Sequence, residues 1–167
     1  MESYAGGVTL NAVEEIFKRH NWQYQLVEGH LVTGFDGVLM VFDVEPEREL
    51  VLLIVPLVQG ESPMGQSPPL TPAERDTCVY LATANYGLAL GAFTRDHRDG
   101  EIRYEAIVPV TGSALTDEQV ELMVGIAASA VTFHGPVIAG LLTGRVSLTQ
   151  ALAFLDRKRS QPREQAV

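Results

Sequence analysis

Three carboxylate–glycine pairs, Glu28-Gly29, Asp36-Gly37 and Asp99-Gly100, do most to limit the folds open to this chain. A glycine at a turn tolerates positive φ, so a strand can reverse direction within two residues and pair with its neighbour antiparallel. Around these pairs the apolar residues alternate. Trp22, Tyr24 and Leu26 precede the first turn, and Leu31, Thr33 and Phe35 lie between the first and second. Val38–Val44 follows as a third strand. After the last pair Ile102, Tyr104, Ala106 and Val108 share one face, with Arg103 and Glu105 on the other. That alternation describes a sheet covered by helices on one side and wet on the other.

The helix starts are marked as clearly as the turns. Thr71-Pro72-Ala73-Glu74 places threonine at the cap, proline at the first helical position and glutamate at the third. There the glutamate can return a hydrogen bond to the cap amide. Thr116-Asp117-Glu118-Gln119 and Ser147-Leu148-Thr149-Gln150 repeat the arrangement. These starts predict helices from Thr71 to about Leu90, over 117–133 and from 148 to about 158. His134-Gly135-Pro136 is expected to end or kink the second of them, with Val137–Leu142 continuing beyond the break. A first helix over 10–20 has Val13, Ile16 and Phe17 on one face and either Thr9 or Asn11 as its cap. The sum is an α+β fold in two layers, an antiparallel sheet with helices packed mainly on one face. One domain is expected over 1–156, followed by a basic tail at 157–167.

Between the third strand and the Thr71 cap runs Leu50–Val58, whose first residues, LVLLIV, do not alternate. Uninterrupted apolar strands are normally covered on both sides. One cover is the chain's own helices; the other is either more of the same core or a second protein surface. On the second alternative, Leu50, Leu52, Ile54, Pro56 and Val58 are the candidate partner or dimer contact. The following loop, 59–72, holds four prolines, and Pro68-Pro69 suits a polyproline II stretch, although a plain connector explains it as well.

Charge narrows the partners. The net charge is −9, and residues 1–156 alone carry 8 basic and 20 acidic side chains. Such a body repels phosphate backbones, which argues against direct nucleic-acid binding. No uninterrupted apolar run reaches the roughly 18 residues of a membrane span, and MESYAGG lacks the features of a signal peptide. A cytoplasmic protein is expected.

Catalytic signatures are missing from the sequence. There is no glycine-rich phosphate loop and no GxSxG around Ser62, Ser67 or Ser113. His20, His30, His97 and His134 show no metal-ligand spacing; His97 reads as a solvated turn residue and His134 as a cap at the helix break. Cys78 is the single cysteine and reads as a small buried hydrophobe. The acids that cluster, Glu45, Glu47 and Glu49, and Asp96 with Asp99, fall in turns. No cofactor, metal or catalytic residue is therefore assigned.

The Asn85 helix end, the LALGAF strand at 88–93, DGEIRYEAIVPV at 99–110, the Leu115-Thr116 helix start and the Phe133–Pro136 break together resemble the YbjN family of small bacterial proteins. The fold of that family resembles the type III secretion chaperones. The family is labelled as sensory transduction regulators, a label that implies no activity. Chaperones of the related fold are small, acidic, ATP-independent dimers that hold an extended client segment. The resemblance implies a non-enzymatic regulator that binds a protein client in chaperone or adaptor fashion and acts as a dimer. A small-molecule sensor with a pocket between sheet and helices is the alternative, and a hydrolase or metal enzyme using the carboxylate clusters is a third.

Overall fold

The glycine turns build the sheet. In the computed structural model, which describes residues 8–59, 69–110 and 114–159, Glu28 and Gly29 have φ of 49° and 86°, and Asp36 and Gly37 have 49° and 78°. Positive φ at both central residues matches the right-handed twist of the strands on either side. The first turn joins β1 (Tyr24–Val27) to β2 (His30–Phe35), and the second joins β2 to β3 (Val38–Glu45). A short 3-10 turn, Pro46–Arg48, leads to β4 (Leu50–Val58). The last hairpin, β5 (Ala92–Arg95) and β6 (Ile102–Pro109), turns through a longer loop in which the Gly100 N–H donates to the Asp96 carbonyl at 2.9 Å. All six strands pair antiparallel in the order β1-β2-β3-β4-β6-β5. The α+β expectation holds.

Helices α1 (Leu10–Arg19), α2 (Pro72–Asn85), α3 (Asp117–Leu142) and α4 (Leu148–Arg159) complete the fold. All three capping starts form as read: the Thr71 and Thr116 hydroxyls accept from the Glu74 and Gln119 amides, and the Ser147 hydroxyl accepts from the Gln150 amide at 3.3 Å. Thr9 occupies the α1 cap position, without a side-chain bond. Phe17 anchors α1 by meeting Trp22, Tyr24, Phe35 and Phe42 edge-on, with ring centroids 5.2–6.5 Å apart. Arg19 and His20 at its end both pair with Asp117 in the first turn of α3.

Two helix ends differ from expectation. The second helix stops at Asn85 rather than near Leu90, because the Asn85 side chain has another task. Its amide donates to the Phe93 carbonyl at 2.9 Å and accepts from the Phe93 N–H at 2.8 Å. β5 accordingly starts at Ala92, after the connection, and not at Leu88. Helix α3 is continuous through His134-Gly135-Pro136 to Leu142, where a break was expected. Pro136 and Thr132 both lie on its exposed side, so the carbonyl that proline leaves without a donor faces water. Burial of Ile138 and Leu141 beyond it offsets the lost bond. By length and mean composition α3 could cross a membrane, although no uninterrupted apolar run reveals it. Here its Val120, Met123, Ala127 and Ile138 are buried in the core.

The Pro-rich connection, with its expected polyproline II stretch, and the end of the basic tail lie largely outside the described residues. Cys78 is half-buried, more open than its sequence setting implied.

Gly91 is the tightest point of the fold. Its φ is +72°, and a β-carbon there would sit 2.4 Å from the Tyr104 hydroxyl and 2.5 Å from the Glu105 carbonyl. That hydroxyl donates to the Leu90 carbonyl at 2.6 Å. Gly37 has a similar φ of +78° but open space around it. Gly37→Ala should therefore cost only the backbone term, about 1 kcal/mol. Gly91→Ala should cost at least about 2 kcal/mol, since it also disturbs a part-buried hydrogen bond. Thermal unfolding of the two variants should separate them by several degrees.

Candidate protein-binding face

Register decides which side chains are available to a partner. Residues directly opposite on paired strands project to the same face. Val51, Leu53 and Val55 of β4 lie opposite Val108, Ala106 and Tyr104 of β6 and point beneath the helices, where all three β4 residues are buried. Leu50, Leu52, Ile54 and Pro56 point the other way, opposite Pro109, Ile107, Glu105 and Arg103. The same parity continues into β3, which adds Val41 opposite Ile54 and Asp43 opposite Leu52. Every buried residue of the sheet lies on the helix side. None on the other side is buried, and among the described residues no helix covers it.

Four of the five residues expected to form a contact surface thus share one uncovered face. Val58 does not. The pairing slips between Pro56 and Val58, so Val58 lies opposite the buried Ile102 and joins the helix side. A bulge adds one residue to a strand and inverts the parity beyond it; counting by twos from Leu50 cannot anticipate that. The face also includes residues the sequence reading passed over. Leu39 is 53% exposed and Ile107 47%. Their signal was present: each falls on the opposite beat to the core residues Met40 and Ala106.

The charges on this face sit around its apolar middle. Asp43 meets His30 at 3.4 Å, and Glu45 meets Arg48 at 2.8 Å. Arg103 is held between Glu101 and Glu105, at 3.4 Å and 2.5 Å.

Groups with displaced acidity are elsewhere and do not converge in a cleft. Asp96 is held well below the ordinary carboxylate range by hydrogen bonds from the Arg98 side chain and amide. Asp99 accepts from the Glu101 amide at 2.9 Å. Both serve the β5–β6 turn, while His97 beside them is exposed, as expected. His134 departs from expectation: it does not cap a helix end but lies buried in α3, where its Nδ1 and the Tyr80 hydroxyl share a hydrogen bond of 2.8 Å. Burial depresses its pKa to about 4 and raises that of Tyr80; Tyr104 is raised to about 12 for the same reason. Among the described residues no group of three His, Cys, Asp or Glu side chains could hold a metal ion.

The fold and this face define a two-layer α+β protein whose sheet, among the described residues, is covered by helices on one side. The pattern of the YbjN family, described as "Putative bacterial sensory transduction regulator", matches residues 9–138, and the chain belongs to that family. No functionally curated protein matches it. Its fold is similar to the crystal structure of YbjN from E. coli, described as "a putative transcription regulator". The TM-score is 0.55 and the identity 13%, over 83% of this chain and 92% of that one. A more distant likeness is to the HopA1–SchA chaperone–effector complex, with a TM-score of 0.47 and 14% identity over 72% of this chain and 88% of that one.

The buried histidine gives a pH signature. Its folded pKa of about 4 lies below its ordinary value of about 6.5. Above pH 6.5 it is neutral folded or unfolded, and its neutral burial adds full stability. As pH falls from 6.5 to 4 the unfolded chain takes the proton first, and that contribution is lost. His134→Gln retains an acceptor for Tyr80 without a titrating ring. Urea midpoints for this variant should fall less between pH 7 and pH 4.5 than those of the wild type.

Proposed function

We propose that this chain is a non-enzymatic regulator that binds a protein client on the uncovered sheet face and acts as a dimer. The observation that carries the reading is the apolar middle of that face, Leu39, Val41, Leu52, Ile54 and Ile107, which no helix among the described residues covers. Six strands about 4.8 Å apart and up to nine residues long offer roughly 600 Å². That approaches the roughly 800 Å² per partner of an ordinary protein interface. Membership of a family described as regulators supports the same reading.

The dimeric part draws on the strand edges. The β5 edge is capped at Phe93 by the Asn85 amide, whereas among the described residues β1 has no strand on its outer side and carries Leu26 and Val27, 54% and 45% exposed. Its four residues, Tyr24–Val27, contain no charge to oppose pairing with a second copy.

A groove of about 370 Å³ between the end of the sheet and α3, lined by Val38, Val55, Val58, Val131 and Ile138, favours the small-molecule sensor as a second reading. Its lining holds no polar side chain to orient a ligand, which weakens that reading.

Solution mass and affinity capture from the native host test the proposal together. The wild type should run at twice the 18.2 kDa chain mass, and Leu26→Lys should run at the chain mass. Ile54→Asp and Ile107→Asp should keep the wild-type unfolding temperature within a few degrees and lose the captured protein. A monomeric wild type would remove the dimer, and identical capture by both face variants would remove the client site.

A further inference from the structure

We infer that the client segment is apolar with lysine or arginine at its flanks, a deepening that rests on the protein-binding reading above. The apolar middle of the face supplies contact area, but its border is strongly one-signed. Asp43 and Glu45 stand on the outer face of β3, Glu47 and Glu49 in the turn that joins β3 to β4, and Glu101 and Glu105 beside Arg103 at the β6 side. Among the described residues two guanidinium groups answer these six carboxylates, and the His30 ring meets Asp43. Arg48 is taken by Glu45 and Arg103 by Glu101 and Glu105. Among the described residues, Glu47 and Glu49 have no ion-pair partner.

A like-charged border excludes as well as attracts. A second copy laid face to face would bring two such borders together. Nucleic acid or an anionic bilayer would meet the same repulsion. A segment with cationic flanks gains at the border what those occupants lose, while its apolar centre covers Val41, Leu52 and Ile54. Surface pairs of this kind add modest affinity but large discrimination and salt sensitivity.

Short fluorescent peptides provide the probe, one with leucines at alternating positions and one with leucines at helical spacing. Each is made with paired arginines or paired glutamates at both ends. At least one arginine-flanked peptide should bind the wild type about tenfold or more tightly than its glutamate counterpart, and should weaken by about tenfold between 0.05 M and 0.5 M salt. Ile54→Asp should abolish binding. Glu47→Lys/Glu49→Lys should erase the preference for arginine while leaving the apolar contact. Equal binding of arginine and glutamate peptides would overturn the charge assignment and leave a protein-binding face standing. The inference also fails if no peptide binds, or if phosphatidylserine vesicles bind in an Ile54-dependent manner. It fails equally if Ile54→Asp converts a wild-type dimer to monomer, since the face would then belong to a second copy.

Discussion

The register across β3, β4 and β6 is the constraint on which the rest of the molecule depends. Phe42, Leu53 and Ala106 lie in one row across the three strands, all buried beneath the helices. A slip of one residue on any strand would exchange the two faces of that strand. In β3 it would drive Asp43 under the helices, and in β6 Glu105. Burying an unpaired carboxylate costs several kcal/mol, so the acids on the outer face hold the sheet in register as firmly as the apolar row on the inner one. The same arithmetic leaves an apolar strip facing outward on β4, whose residues are apolar on both beats. Core and candidate site are therefore two readings of one register.

Much of this was legible in the chain because the signals were local and mutually consistent. Carboxylate–glycine pairs set the hairpins, and threonine or serine caps set the starts of α2, α3 and α4; each acts within four residues. What escaped depends on distant partners. Asn85 looked like a residue near the end of a helix; that it ends the helix follows from Phe93, eight residues on. His134 looked like a cap because Gly135 and Pro136 follow it, but α3 can carry a proline on its wet side while its dry side continues into the core. Tyr80, 54 residues earlier, is what gives the imidazole a reason to be buried.

The candidate face was half legible for the same reason. An apolar run with no alternation announced two covered sides, and the parity of Leu50, Leu52, Ile54 and Pro56 followed directly. Val58 fell out of the set through one inserted residue, and Leu39, Val41 and Ile107 entered through pairing that only the assembled sheet displays. No catalytic motif had been found in the sequence, and the displaced acid–base groups in the fold are explained by turns and burial. The distinctive chemistry of the outer surface is an arrangement of apolar area and charge.

The Asn85 amide has a consequence for stoichiometry. By filling both polar groups of Phe93 it caps one strand edge of the sheet, while among the described residues the other is open. A sheet open at both ends can add copies without limit, as fibres do. A sheet open at one end can meet only another open end, and the union then has none left. Any association of this chain through the open edge would therefore be self-terminating at two, with a single carboxamide setting the limit.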